Sequence, residues 1–225
     1  TACRRQRQMC IRDRGITTAG QLSIRWIEKK MNEYLNKLLG TKDEDFVIAS
    51  DTDSIYITFD KLVDKVFEKG TSISKIVNFL DTIATEKIEP YIDKSYQTLA
   101  DMMSAYDQKM FMKREVIADK GIWTAKKRYI LNAWDIEGVR FKEPQLKVMG
   151  IEAVKSSTPA PCRAKIKEAL TIIMGGDEKQ LNDFLIAFRN DFKTLTPIDI
   201  AYPRSCNGIK KFGSSSSIYV KGTPM

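Results

Sequence analysis

Apolar residues recur at helical spacing in the first part of the chain, at Leu22, Trp26, Ile27, Met31, Tyr34, Leu35 and Leu38. A period near 3.6 residues predicts an amphipathic helix with one buried face. Thr17 or Thr18 is its predicted N-cap, and Gly40 its stop. Two short apolar runs follow, at residues 46–49 and 55–59, on either side of five turn-forming residues, 50–54. This arrangement predicts a β-hairpin with an acidic tip.

The rest of the chain mixes strand and helix patterns. Helices are predicted over residues 61–68 and 74–105, with Pro90 kinking or splitting the second. Strand character follows over 110–118, 122–134 and 139–148, with a turn at 119–121. A polar loop at 155–159 then leads to predicted helices over 161–174 and 177–195. These elements indicate an α+β fold: an antiparallel sheet with packed helices, followed by a mainly helical part.

The chain contains no histidine, which limits its chemistry. Ser-His and Cys-His pairs and imidazole-bound metals are excluded, so any catalytic metal would need oxygen ligands, as Mg²⁺ and Mn²⁺ do. The four cysteines, Cys3, Cys10, Cys162 and Cys206, form no C-x-x-C pair, which argues against a zinc site or a disulfide framework and favours a reducing, intracellular setting. No apolar run is long enough for a membrane span, so no membrane partner is expected.

The net charge of +8 suggests a polyanionic partner, but it is unevenly distributed. Residues 1–14 hold five arginines and one aspartate, which is half of that charge. The same stretch lacks apolar periodicity and caps. We therefore predict that residues 1–14 are a spurious, non-matching extension with few contacts to the remainder, which is only mildly basic.

Asp51 and Asp53 carry the candidate chemistry. If the strand pleat persists, their carboxylates face the same way and repel each other by about 1–3 kcal/mol at an effective dielectric near 20–40. A divalent cation turns this repulsion into attraction, and pairs of metal ions serve phosphoryl transfer. An EF-hand is excluded because Tyr56 and Leu62 stand where its loop needs glycine and glutamate. On these residues alone, a simple polar turn is the simpler interpretation.

The run V-I-A-S-D-T-D-S-I-Y at residues 47–56 resembles motif C of family B DNA polymerases, whose usual form is Y-G-D-T-D-S. Similarity to polymerases of T-even-like tailed bacteriophages extends in order from about Gly15 to Leu170. It is carried by G-I-T-T-A-G-Q (15–21), W-I-E (26–28), N-E-Y-L-N (32–36), E-P-Y-I-D (89–93), K-K-R-Y (126–129), K-V-M-G-I-E (147–152) and K-S-S-T-P (155–159). The resemblance implies a DNA-directed DNA polymerase in the cytoplasm of an infected bacterial host. It makes residues 15–149 the C-terminal part of the palm and 150–225 a truncated thumb.

The resemblance also assigns roles around the hairpin. Asp53 matches the principal metal-binding aspartate and Asp51 its partner, while Thr52 and Ser54 complete the motif. Glu115 matches a family acidic residue near the active site, as a supporting group or transient metal ligand. The implied cofactor is a pair of Mg²⁺ ions, with Mn²⁺ as an alternative. Ala49 and Ser50 replace the usual Tyr-Gly, so Ser50 is expected to adopt a turn geometry that favours glycine.

Two polar segments are candidate DNA contacts. The strand period places Lys127 and Tyr129 on one face and Lys126 and Arg128 on the other. By pattern alone this is an exposed basic edge strand, but it resembles the family motif that approaches the primer end along the minor groove, where contacts test pairing geometry. The segment Lys155, Ser156, Ser157 and Thr158 resembles residues that hold the primer backbone. By pattern alone it is a loop in which Ser157 or Thr158 caps the next helix.

The implied partners are primer–template DNA, a dNTP and, through the missing C-terminus, a sliding clamp. In the family, the first catalytic aspartate, the fingers lysine and the exonuclease lie upstream of this segment, so the fragment itself is expected to be inactive. Two alternatives remain open: a non-catalytic nucleic-acid-binding module with a structural acidic hairpin, and a different palm polymerase such as a reverse transcriptase. We further expect the acidic hairpin and the strand through Lys127 to share one sheet.

Overall fold

The computed structural model describes the backbone of residues 2–202 and the side-chain surroundings of residues 13–202. Over this range the predicted α+β class is confirmed, with a two-stranded and a three-stranded antiparallel sheet among helices. The chain divides into two units. Unit 1 comprises Thr1–Ala118 and Trp134–Glu143, and unit 2 comprises Asp119–Ala133 and Pro144–Met225. No helix of the described part is long and apolar enough to cross a membrane.

Helix α1, Ala2–Leu39, carries the predicted apolar face, on which Ile27, Met31 and Leu35 are 0% exposed. The predicted N-cap at Thr17 or Thr18 is wrong, because the helix begins at Ala2. Thr17 instead satisfies its hydroxyl inside the helix by donating to the Asp13 carbonyl at 2.7 Å. Residues 13–20 are exposed. The prediction that residues 1–14 make few contacts lies mostly outside the described side chains.

The hairpin strands β1, Val47–Asp51, and β2, Ser54–Ile57, confirm the predicted antiparallel hairpin. Helix α2, Asp60–Val66, follows. The buried residues of α1, of the start of β1 and of α2 share one apolar core with Ile88, Ile92 and Tyr96, which lie further along the chain. The core of unit 1 therefore includes the residues at which the hairpin begins, Phe46 and Val47.

The long helix predicted over residues 74–105 is present as three successive segments: α3, Ile73–Ile83, a π-helical turn, Ala84–Ile88, and α4, Glu89–Met102. Within the π turn, the Glu89 N–H donates to the carbonyl of Ala84, five residues back. Pro90 has no N–H to donate, and its ring crowds the preceding turn. The widened turn lets the chain continue through Pro90 without ending the helix.

The three-stranded sheet has the order β3, β4, β5, formed by Val116–Ala125, Arg128–Ile136 and Val139–Met149. The prediction for residues 139–148 is confirmed, but a strand from residue 110 and a turn at 119–121 are wrong. Strand β3 begins at Val116 and runs through Gly121. A Cβ on Gly121 would lie 2.7 Å from the Trp123 ring, so this glycine permits close packing and not a turn.

The acidic hairpin and the strand bearing Arg128 lie in separate sheets, so the expectation of one shared sheet is wrong. At the start of β1, the N–H groups of Phe46 and Val47 donate to the side chain of Asn32 on α1. A helix side chain thus occupies donors that a further strand would otherwise use.

Unit 2 continues with a 3₁₀ turn, Glu152–Val154, and helices α5, Ala160–Gly175, α6, Glu178–Phe192, and α7, Pro197–Ile200. The two predicted helices are confirmed as α5 and α6. Ser157 and Thr158 do not cap α5, whose N-cap is Pro159 without a side-chain hydrogen bond. The core of this unit contains the buried residues Ile130, Ala153, Leu170 and Met174.

Candidate functional site

The tip of the acidic hairpin is a two-residue loop, Thr52 and Asp53, closed by the pair Asp51 and Ser54. The strands therefore extend further than the predicted five-residue turn allowed. Because the pleat ends at Asp51, the same-face argument does not apply to Asp53. Ser50 lies within β1 and not in a turn, so the expected strain there is wrong. The left-handed geometry falls on Thr52, with φ 52°, where a β-branched residue costs roughly 1–3 kcal/mol.

Local hydrogen bonds hold this tip around Asp51. The Thr52 hydroxyl donates to Asp51 Oδ1 at 3.0 Å, and the Ser54 hydroxyl donates to the Asp51 carbonyl at 3.1 Å. The Asp53 N–H donates to the same carbonyl at 2.6 Å. Thr52 and Ser54 thus stabilise the hairpin tip through hydrogen bonds to Asp51. The side chain of Asp53 is exposed at the end of the hairpin.

Two asparagines on α1 anchor the segment that leads into the hairpin. Asn32 Oδ1 accepts the N–H groups of Phe46 at 2.9 Å and Val47 at 3.1 Å, while its Nδ2 donates to Asp45 Oδ1 at 2.7 Å. Asn36 bonds to both the N–H and the carbonyl of Glu44. The sequence showed these asparagines only as members of the N-E-Y-L-N motif. Their role follows from their spacing of four, which puts both on one side of the helix.

The hairpin offers a divalent cation a suitable kind of ligand but not a complete set. Carboxylate oxygens are the preferred ligands of Mg²⁺, which favours six oxygens. Across the described residues, however, no group of three or more acidic or cysteine side chains is placed to hold a metal ion. Asp51 and Asp53 supply carboxylate oxygens of the kind that Mg²⁺ prefers, and within the described residues no third acidic or cysteine side chain joins them in such a group.

Glu115, the third predicted metal ligand, is exposed and borders a groove also lined by Glu89 and Glu137. It does not form a metal-holding group with the hairpin aspartates. The backbone around Glu115 is nevertheless held by hydrogen bonds. The Glu115 carbonyl accepts the Glu137 N–H at 2.6 Å, and the neighbouring Arg114 N–H donates to Glu89 Oε1 at 3.0 Å.

A closed ring of ion pairs includes Arg114, the residue next to Glu115. Asp135 is 0% exposed and pairs with both Arg114 and Arg140, the latter at 2.9 Å. Both arginines also reach Asp81, at 2.8 and 2.9 Å. Asp135 further accepts the Gly138 N–H at 3.0 Å. Sequence reasoning missed this ring; the available signal was an aspartate directly after the apolar pair Ala133 and Trp134 in β4.

The basic motif forms a hairpin tip and not a strand face, which corrects the predicted alternation. Lys126 and Lys127 are the exposed loop between β3 and β4, and Lys127 has φ 61°. Arg128 opens β4, and Tyr129 packs beside Trp123 with ring centroids 6.4 Å apart. Lys126 and Lys127 therefore lie at the tip of this hairpin, and Arg128 directly follows them.

The second candidate DNA-binding segment meets the basic hairpin at one carboxylate. Glu152 Oε1 accepts from Arg128 Nη2 at 3.2 Å and from Lys155 Nζ at 2.9 Å. We call Arg128, Glu152 and Lys155 the Glu152 cluster. The pKa of Glu152 lies below its ordinary value, first because Lys155 donates a hydrogen bond to it, then because its own backbone does, with a smaller effect of the Arg128 charge. Further along, Ser156 is exposed and the Tyr202 hydroxyl donates to Ser157 Oγ at 3.2 Å.

The chain is similar to DNA polymerases of phages. It is 45% identical over 206 residues to the DNA-directed DNA polymerase of Escherichia phage RB69, a match that covers 88% of this chain and 23% of that protein. It is 39% identical over 206 residues to the DNA-directed DNA polymerase of Enterobacteria phage T4, with the same coverage. No family model matches the chain. The resemblance seen in the ordered motifs is thus confirmed, and the chain spans about a quarter of these relatives' length.

Proposed function

We propose that this chain is a segment of a family B DNA-directed DNA polymerase, with motif C and its surroundings at residues 15–149 as palm and residues 150–225 as the beginning of the thumb. The observation that carries the proposal is the braced D-T-D-S hairpin tip in a chain 45% identical to the phage RB69 polymerase. Residues 1–14 lie outside both proposed domains.

In this proposal the parent enzyme transfers a nucleotide from a dNTP to a primer 3′-hydroxyl. Asp53 is the principal metal-holding carboxylate, Asp51 its partner and Glu115 a supporting group. Two Mg²⁺ ions, or Mn²⁺, would supply charge stabilisation at the attacking and leaving oxygens. The chain's own contribution is rigid placement of these carboxylates: α1 holds the start of β1 through Asn32, and the tip hydroxyls hold Asp51.

Primer–template DNA is proposed to contact the basic hairpin and the segment after the 3₁₀ turn. Lys126, Lys127, Arg128 and Lys155 provide cations, and Ser156 and Ser157 provide hydroxyls, which are common phosphate-binding groups. Tyr129 is proposed to approach the primer end along the minor groove. These contacts would be independent of sequence and sensitive to salt, because they address the backbone and the degenerate minor groove.

The isolated chain is proposed to bind DNA without catalysing nucleotide transfer. It supplies two carboxylates at the hairpin tip and spans only 23% of its relatives. The parent would act in the cytoplasm of an infected bacterium. A sliding clamp as a further partner rests on the family resemblance alone.

A second candidate function is a non-catalytic nucleic-acid-binding module in which the acidic hairpin is structural. It is favoured by the absence, over the described residues, of any metal-holding group of three carboxylates, and by the hydrogen bonds that make the tip self-supporting. On this alternative, Asp51 and Asp53 brace a turn and take no part in chemistry.

A chimera tests the proposal. Residues 15–202 of this chain replace the matching segment of the phage RB69 polymerase, and primer extension is measured with Mg²⁺ and all four dNTPs. We expect the chimera to extend a primed template, whereas the isolated chain binds the template but extends nothing. A chimera that melts cooperatively and binds primer–template but extends no primer would favour the binding module. Extension that persists after Asp51→Ala with Asp53→Ala would do the same.

A further inference from the structure

The two proposed DNA-binding segments are distant in sequence but share one acceptor. Arg128 opens β4 and Lys155 follows the 3₁₀ turn, yet both donate to Oε1 of Glu152, at 3.2 and 2.9 Å. The side chains are 44% and 40% exposed, so both cations can be reached from solvent. The negative charge of Glu152 repels the DNA that Arg128 and Lys155 are proposed to bind. Its position between these two cations therefore calls for an explanation.

The backbone beneath Glu152 is fixed from two sides. The next residue, Ala153, is 1% exposed and packs in the core with Ile130 and Leu170. Two residues before, Gly150 has φ 67°, and a Cβ there would overlap the carbonyl oxygen of Lys127 in the basic hairpin. The turn that carries Glu152 is thus seated against the loop that carries Lys127, with no room for a side chain between them.

The bonds to Glu152 leave both cations able to bind phosphate. Arginine has five N–H donors and lysine three, and the bond to Glu152 takes one from each. Long basic side chains lose rotamer freedom when they bind, so holding them beforehand lowers the ordering cost of association. The carboxylate of Glu152 is charged at neutral pH, as an ordinary glutamate is, and its pKa is lowered first by the hydrogen bond from Lys155.

We propose that Glu152 is a positioning residue that holds Arg128 and Lys155 side by side for the primer backbone, coupling the basic hairpin to the segment that begins at Lys155. This rests on the proposed function of DNA binding. Glu152 therefore strengthens DNA binding although its charge opposes it. The competing explanation, simple neutralisation of surplus positive charge, predicts the opposite sign when the carboxylate is removed.

The test measures binding of the full chain to a fluorescein-labelled primer–template duplex by fluorescence anisotropy. The salt concentration is varied from about 50 to about 200 mM, because affinity that depends on phosphate contacts falls steeply over this range. The variants are Glu152→Ala, which removes the carboxylate, and Glu152→Gln, which keeps an acceptor oxygen without charge. Glu178→Ala is the matched control, because it removes the same charge from an exposed site on α6 in the same unit.

We expect Glu152→Ala to weaken binding by roughly three- to tenfold and to lower the salt slope by about one to two phosphate equivalents, with Glu152→Gln between it and the wild type. Glu178→Ala should bind as well as the wild type or better. Thermal melts of the three variants should match the wild type, since exposed ion pairs add little stability.

Equal or tighter binding by both Glu152 variants, with an unchanged salt slope, would overturn the positioning role while leaving the proposed function intact. Failure of the proposed function has a different signature, because the wild-type chain would then show no salt-dependent binding of the duplex. Should Glu152→Ala melt earlier than the wild type, Glu152→Gln alone decides between positioning and charge neutralisation.

Discussion

Asn32→Ala is expected to loosen the acidic hairpin from α1. The side chain of Asn32 accepts the N–H groups of Phe46 and Val47, and it donates to Asp45. Phe46 and Val47 are 3% and 4% exposed, so water cannot readily replace the lost acceptor. The substitution therefore leaves two buried backbone donors without this partner at the point where β1 begins.

The magnitude follows from those two donors. An unsatisfied buried donor costs about 1–3 kcal/mol. Partial relaxation at the chain's surface makes a total of about 2–4 kcal/mol reasonable. Helix propensity acts in the opposite direction, since alanine is better than asparagine in a helix by roughly 0.5 kcal/mol. For a chain of this size, 1 kcal/mol lowers the midpoint by about 2–4 °C, so a net loss of about 1.5–3.5 kcal/mol should make Asn32→Ala melt about 3–14 °C lower.

Circular dichroism melts compare Asn32→Ala with Asn78→Ala, a control at an exposed position on α3 that changes the same residue type. The control should melt within about 1–2 °C of the wild type. Asn32→Asp keeps an acceptor but puts a carboxylate beside Asp45, and adding Asp45→Asn should restore much of the loss. A melt for Asn32→Ala indistinguishable from that of Asn78→Ala would refute the anchoring role.

Three further predictions concern the ion-pair ring of Asp135, Gly150 and the Glu152 cluster. Asp135→Ala removes a buried carboxylate between two arginines and should cost about 3–5 kcal/mol in urea unfolding, with little change in m-value. Gly150→Ala should cost at least about 1–2 kcal/mol in the same assay, because φ is 67° and the new Cβ meets the Lys127 carbonyl. Glu152 should titrate by NMR below an ordinary glutamate, and Lys155→Ala should raise its midpoint. Because the folded-state pKa is lowered, the Glu152 contribution is present above the unfolded-state pKa and is lost as pH falls through the folded value.

Strong periodicity made several elements predictable. The apolar face of α1, the acidic hairpin, α5, α6 and β5 all follow from local patterns that agree with the packing they meet. Asp177 illustrates this agreement: it precedes α6 and accepts the Gln180 N–H as an N-cap. The α+β class followed from the order of these elements.

The misses have specific physical causes. Gly121 marks close packing against Trp123, and a single glycine in sequence does not distinguish that from a turn. The turn in the structure instead places Lys127 at φ 61°, a conformation that lysine rarely adopts and that its presence in a sequence does not predict. The ion-pair ring of Asp135 and the anchor formed by Asn32 join residues far apart in the chain, so local patterns can flag these residues but cannot identify their partners.

Single-turnover nucleotide incorporation by the chimera with Asp53→Ala tests the central claim most directly. We expect the rate with Mg²⁺ to fall by orders of magnitude while primer–template affinity stays nearly unchanged, because the substitution removes the proposed metal ligand and leaves the basic hairpin untouched. Asp51→Ala should have the milder effect, and Asp64→Ala, at an exposed site on α2, should have none. A chimera that carries Asp53→Ala and keeps near-normal turnover would contradict the assignment of this hairpin as the catalytic one.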